Sequence, residues 1–177
     1  MPFSKPISLL NPVAYMFARI APGYDRANRI LSLGMDSLWR HKLIRGVEET
    51  LPAGSRRRIL DMAAGTLDVA LDMAMQLPGS SVIALDFCLP MLKRGKTKLR
   101  QAGAFAMSRV CLALGDGRSL PFADASFDAV TVSFGLRNML PRSAAVAEAY
   151  RVLVPGGTLH ILEFGSAKIR ILAGGSR

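Results

Sequence analysis

Cysteine is scarce in this chain of 177 residues, with only Cys88 and Cys111, and that excludes a disulfide-stapled scaffold. Histidine is as rare, and His41 and His160 stand apart, so no cluster of metal ligands is expected. Aromatic residues make up 7% and are not interleaved with the basic ones, which argues against a single-stranded nucleic-acid binder. No apolar run reaches the ~18 residues of a membrane span. The first residues carry Pro6 and Pro12 and lack a basic leader and a small-residue cleavage site, so no signal peptide is expected. Acidic residues are also short, 13 against 23 Lys and Arg, for a net charge of +10. The positive charge is spread along the chain, with clusters only at Arg56-Arg57-Arg58 and at Lys93, Arg94, Lys96, Lys98 and Arg100. These read as solvated faces and predict no nucleic-acid partner. The functional alternative is weak attraction to an anionic membrane surface. The expected setting is cytoplasmic, peripheral to the inner membrane face if lipid is involved.

What is present is apolar: half of the residues are hydrophobic, enough for the core of one domain. Residues 1–50 read as helical and irregular, an N-terminal lid punctuated by Pro12, Pro22-Gly23 and Gly34, with a helix from Asp36 to about Thr50. From residue 56 the pattern changes to alternating strands and helices. Apolar runs at 58–63, 81–86, 109–114, 127–134 and 158–164 read as strands, with Pro155-Gly156-Gly157 as a turn before the last. Helices are expected at 66–77, 89–102 and 143–153. This alternation predicts an α/β, doubly wound sheet of about five parallel strands. Domain boundaries follow as 1–50 lid, 51–165 nucleotide-binding core and 166–177 divergent tail.

Such sheets bind ligands at the carboxyl ends of their strands. There the chain carries Asp61-Met62-Ala63-Ala64-Gly65-Thr66-Leu67, then Asp86, then Asp116-Gly117. The dinucleotide fingerprint G-x-G-x-x-G is missing, which argues against a nicotinamide enzyme. An acidic residue at the first strand end suits a cationic ligand such as S-adenosyl-L-methionine better than a pyrophosphate. Asp86 can accept from both ribose hydroxyls, and its loss should weaken binding roughly ten- to a hundredfold. A lone Asp at a strand end is usually a turn or cap; three after three consecutive strands favour a site.

Three longer motifs accompany these. They are Tyr24-Asp25-Arg26-Ala27-Asn28-Arg29-Ile30-Leu31-Ser32-Leu33-Gly34 with Trp39 beyond, Ser133-Phe134-Gly135-Leu136-Arg137-Asn138, and Arg151-Val152-Leu153-Val154-Pro155-Gly156-Gly157 closing on Leu162-Glu163-Phe164. Together they resemble the ubiquinone/menaquinone-biosynthesis C-methyltransferase family (UbiE/MenG type), over about residues 15–164. The resemblance implies a Rossmann-like class I methyltransferase fold and methyl transfer from S-adenosyl-L-methionine to a ring carbon of a polyprenyl quinol. It implies cofactor contacts at Asp61, Gly65, Thr66, Asp86, Asp116, Gly117 and Ser133, and no metal. Arg137 is the candidate to stabilise a phenolate, Asn138 to orient the quinol oxygen, and Tyr24 and Asp25 to position substrate or move a proton. An ion pair with Glu163 is the competing role for Arg137, and a turn with a helix cap for Tyr24-Asp25.

Three departures from the family pattern stand out. Leu67 replaces a second glycine and is expected to crowd the methionine end of the cofactor. Val154 replaces a basic residue. Gly165 and the residues after it do not match the family's closing helix and two strands, so the fifth strand is expected to be an exposed edge. The alternative reading is therefore a truncated or impaired member acting as a non-enzymatic subunit, in a homodimer or a biosynthetic complex. Met16, Phe17, Ile20, Ile30, Leu31, Leu33, Met35 and Leu38 are expected to be core or to line a prenyl pocket.

Overall fold

The structure is a computed structural model, and it describes residues 12–51, 56–163 and 171–173. Phe164, Gly165 and most of the tail named above lie outside the described residues. Helices α1 (Pro12–Ile20) and α2 (Tyr24–Leu31), joined by a 3-10 turn at Ala21–Gly23, lead into α3 (Asp36–Thr50). The α/β part follows as β1 (Arg57–Met62), α4 (Asp68–Gln76), β2 (Ser80–Asp86), α5 (Leu89–Gln101), α6 (Ala104–Met107) and β3 (Val110–Leu114). It continues with β4 (Phe127–Ser133), α7 (Arg142–Val152), β5 (Leu153–Leu162) and β6 (Ile171–Ala173).

The sheet order is β3-β2-β1-β4-β5-β6, with the first five strands parallel. The order reverses between β1 and β4, which opens the ligand crevice there. Strand side chains alternate between two helical layers. Ile59 and Ala129 join the core beneath α3, α4 and α5, whereas Leu60, Met62, Val130 and Val132 pack with α7. Burial on both faces explains why these strands read as continuous apolar runs. Helix α3, grouped with the lid by sequence, sends Leu43, Ile44 and Val47 into the same core and packs on α4 and β5.

Two expectations at the end of the chain are corrected. Pro155-Gly156-Gly157 is not a turn ahead of the last strand but lies within β5. The pairing jumps from Phe127↔Leu153 to Ala129↔Thr158, so the segment bulges out of the ladder while the strand continues. Nor is β5 an exposed edge at its centre. The three residues of β6 pair antiparallel with Thr158–His160 and take up backbone groups that an edge strand would leave open.

Candidate active site

The turn after β1 is a run of left-handed backbone: Ala63, Gly65 and Leu67 all have positive φ, at 58°, 55° and 73°. Such conformations are costly for non-glycine residues and concentrate at functional sites. The turn is held by Ala64 N–H to the Leu85 carbonyl at 3.0 Å and by Gly65 N–H to Asp86 Oδ2 at 2.8 Å. Across the switch point, the loop after β4 comes so close that a Cβ on Gly135 would lie 2.4 Å from Ala63 Cβ. Small residues are required on both sides of that contact.

Three adjoining cavities that share lining residues form a cleft over these strand ends. Its wide end, about 240 Å³, lies between the lid and the sheet and is lined by Tyr24, Asp25, Asp61, Gly65, Thr66, Ser133, Phe134 and Arg137, with Leu31, Ser32, Trp39 and Arg40 at the lid side. Next to it lie a cavity of about 40 Å³ by Phe17, Asp86, Ser133 and Asn138 and one of about 20 Å³ by Asp86, Asp116, Gly117 and Met139. All eleven residues picked from the sequence thus line one cleft. Asn138, paired by sequence with the quinol end, lies instead along the narrow half.

Asp61 is fully buried. Its Oδ1 accepts from Thr131 Oγ1 at 2.8 Å, and its Oδ2 has no hydrogen-bond partner among the described residues. Burial, with the charge of Asp86 adding to it, raises its pKa to about 7 against the pull of the Thr131 hydroxyl and, more weakly, the Ala70 backbone N–H. Asp86 accepts from the amides of Gly65 and Cys88, both at 2.8 Å. Burial raises its pKa, and those amides oppose the shift. Each of its oxygens retains a lone pair for a further donor. Asp116 is clasped by Arg118 with contacts of 2.6–3.1 Å, and the Arg118 hydrogen bonds hold its pKa low.

The lid is tied to the cofactor turn by charge. Asp25 Oδ1 accepts from Thr66 Oγ1 at 2.5 Å, while Oδ2 meets Arg94 Nε at 3.2 Å and Lys98 Nζ at 3.5 Å. Lys98 also pairs with Asp68. Burial raises the Asp25 pKa, but Thr66, Lys98 and Arg94 together outweigh it and leave the group lowered. Sequence reading placed Arg94 and Lys98 on a solvated helix face. Their spacing of four puts them on one stripe of α5, but nothing local shows that Asp25 faces that stripe. Asp36 and Arg40 form a second tie, with Arg40 also reaching Asp72 at 2.9 Å.

Arg137 forms the ion pair with Glu163 that sequence reading weighed against a catalytic role. It nevertheless lines the wide cavity, with its guanidinium 6.0 Å from the Phe134 ring centre. The expectation that Leu67 crowds the cofactor is corrected: Leu67 lines no part of the cleft, and its side chain is wholly buried against α5. The apolar lid residues are neither core nor pocket for the most part. Only Phe17 and Leu31 line the cleft, while Met16, Ile20, Ile30, Leu33, Met35 and Leu38 are exposed.

The model of the ubiE/COQ5 methyltransferase family matches residues 8–175. The chain belongs to that family. Among curated members of the ubiE/COQ5 family, it is 44% identical over 154 residues to the ubiquinone/menaquinone biosynthesis C-methyltransferase UbiE of Geotalea daltonii. That match covers 86% of this chain and 63% of the relative. It is also 44% identical to the demethylmenaquinone methyltransferase of Thermus thermophilus, over 84% of this chain and 64% of that one. The chain thus spans just under two thirds of the length of these relatives. Among solved structures, a SAM-dependent methyltransferase from Aquifex aeolicus matches with a TM-score of 0.59 at 16% identity, over 71% of this chain and 65% of that one. The [4+2]-cyclase SpnF matches with a TM-score of 0.62 at 29% identity, over 69% and 44%. The fold is the class I methyltransferase fold. Among the described residues, no helix is long and apolar enough to cross a membrane.

Proposed function

We propose that this chain binds S-adenosyl-L-methionine along the cleft and methylates a ring carbon of a polyprenyl quinol held beneath the lid. The observation that carries the reading is Asp61 at the wall of the wide cavity, whose buried Oδ2 has no hydrogen bond of ordinary geometry among the described residues, with only the weak pull of the Ala70 backbone N–H on the carboxyl. An uncompensated polar atom of this kind is costly unless a ligand satisfies it. The ammonium of a methionine group would do so. Asp86 offers two acceptor oxygens for ribose hydroxyls, and a purine edge would lie toward Asp116 and Gly117, where the small cavity must widen to admit it. When bound, the cofactor supplies an electrophilic methyl group on a sulfonium.

The protein's own part is alignment and charge. Ser133 lies where the wide and narrow parts of the cleft meet, the point at which donor and acceptor must be brought in line. Alignment of this kind can remove ~7–11 kcal/mol of barrier. Arg137 at the cavity wall favours the phenolate form of a quinol, whose hydroxyl proton leaves to solvent. As the ring carbon gains the methyl the methyl–sulfur bond would break, and loss of the proton on that carbon to solvent would restore the aromatic ring. Asp25 is held ionised by its cationic partners, so it is a weak base and serves to fasten the lid. Leu31, Trp39 and Phe134 give the acceptor an apolar wall, with Trp39 and Phe134 in edge contact at 5.9 Å. The relatives' names, a ubiquinone/menaquinone C-methyltransferase and a demethylmenaquinone methyltransferase, support quinols as the acceptor class.

The test is transfer of labelled methyl from S-adenosyl-L-methionine to prenylated demethylmenaquinol in detergent. Turnover is expected, with kcat reduced about a hundredfold or more in Arg137→Ala. Cofactor binding without transfer would instead support the non-enzymatic reading.

A further inference from the structure

The lid presents an apolar corner to solvent. Ile30, Leu31 and Leu33, at the end of α2 and just beyond it, are 72%, 82% and 89% exposed. Met35 and Leu38 continue the same exposed surface into α3. The corner is built rather than loose. Leu33 N–H donates to the Ile30 carbonyl at 3.1 Å, Gly34 N–H to Arg29 at 2.9 Å, and Met35 N–H to Ser32 at 2.9 Å. Leu33 itself holds a left-handed φ of 51°. A leucine kept in a strained conformation and pushed into water is unfavourable twice over, which points to a surface that covers it.

Charge identifies the surface. Arg19, Arg26 and Arg29 are exposed on the same segment. Its two acids are already engaged, Asp25 with Thr66, Arg94 and Lys98, and Asp36 with Ser32 and Arg40. Helix α1 and the turn after it pack on α5, whose Arg94 and Lys98 are engaged by Asp25 and Asp68, while Lys93 lines the same groove. Apolar tips on a segment with three exposed arginines, of which Arg29 also acts on Asp36, match the interface of an anionic bilayer, where the apolar groups enter the acyl boundary and the cations meet headgroups. Leu31 and Ser32 also line the wide cavity, so the cavity reaches the surface at this corner.

We infer that residues 29–35 form a wedge that seats in an anionic lipid bilayer, with the mouth of the wide cavity opening onto the membrane. Delivery of a prenylated substrate through that mouth rests on the proposed function; the lipid contact does not.

Flotation of the 177-residue chain with liposomes, without cofactor or quinol, tests the contact. The expected result is flotation with vesicles of phosphatidylglycerol and phosphatidylethanolamine, little with pure phosphatidylcholine, and release at high salt. The double variant Ile30→Ser/Leu33→Ser should lower partitioning about tenfold or more. Both positions are exposed and outside the cleft, so its circular dichroism should match the parent. Failure of the parent chain to float overturns the inference, as does equal flotation of parent and variant. So does a parent dimer that the double variant dissolves, because the corner would then be a protein interface. S-adenosyl-L-methionine binding, measured on the same preparations, reports on the proposed function separately.

Discussion

Leu67 occupies the space that any side chain at position 95 would need: a Cβ built on Gly95 would lie 2.3 Å from Leu67 Cγ. The leucine stands at the start of α4 with φ at 73° and is fully buried, so α5 accommodates it by carrying no side chain there. Gly95→Ala should therefore cost about 1–3 kcal/mol through overpacking. Leu67→Gly relieves roughly 1 kcal/mol of backbone strain but opens a cavity worth several, for a net loss of about 2–3 kcal/mol. Urea unfolding of each variant and of the double variant should show strong non-additivity, since the two residues share one space. Cofactor affinity in Leu67→Gly should stay within about twofold if the fold is retained, because the side chain lies outside the cleft.

His160 and Asp61 push the acid stability of the ligand-free chain in opposite directions. His160 is fully buried, its Nε2 is 2.8 Å from Thr158 Oγ1 and 3.1 Å from Thr50 Oγ1, and burial lowers its pKa from 6.5 to about 4. The unfolded chain then binds the extra proton between those values, so stability falls as pH drops from about 6.5 to about 4, by roughly 3 kcal/mol. Asp61, raised from 3.8 to about 7, does the reverse, and its contribution is lost as pH rises through that window. Denaturation as a function of pH should therefore show a rising profile in Asp61→Asn and a falling one in His160→Leu.

The same carboxyl makes ligand affinity pH-dependent. A cation that seats against Asp61 requires the ionised form, and near pH 7 part of the population is protonated. Titrations of S-adenosyl-L-methionine should tighten between pH 6 and pH 8. The change should vanish in Asp61→Asn, where binding is weaker by about tenfold or more throughout.

Asp25 fastens the lid, and its removal should be visible without any ligand. In Asp25→Asn the charged contacts to Arg94 and Lys98 are lost, and hydrogen bonds to charged groups contribute about 1.5–3 kcal/mol. Backbone hydrogen exchange across α2 should accelerate about tenfold or more, with the amides of β1 and β4 unchanged. Raising the salt should bring the parent chain partway toward the variant.

The sheet was legible in the sequence because its strands are buried on both faces, so 58–63, 81–86 and 127–134 appear as apolar runs within a residue or two of β1, β2 and β4. The cleft was legible for the same reason: parallel strands bring their carboxyl ends, and hence Asp61, Asp86 and Ser133, to one side. What was not legible depends on distant partners. The Pro-Gly-Gly bulge is decided by the ladder with β4, the pairing of β6 by the open groups of β5, and the Asp25 latch by residues far along the chain on α5. The direction of the Leu67 side chain depends on a left-handed φ that a residue name does not reveal. The lid's apolar residues follow only a rough helical spacing, and nothing in that spacing distinguished a buried face from an exposed corner.

The cleft from Gly117 past Asp86 to Asp61 should bind S-adenosyl-L-methionine in this chain. Calorimetric titration of the cofactor into the 177-residue protein at pH 8, with Asp86→Asn alongside, tests it most directly. The expected result is saturable one-to-one binding by the parent and affinity reduced about ten- to a hundredfold in Asp86→Asn. No heat of binding from a protein that is folded by circular dichroism, or equal binding by the variant, would contradict it.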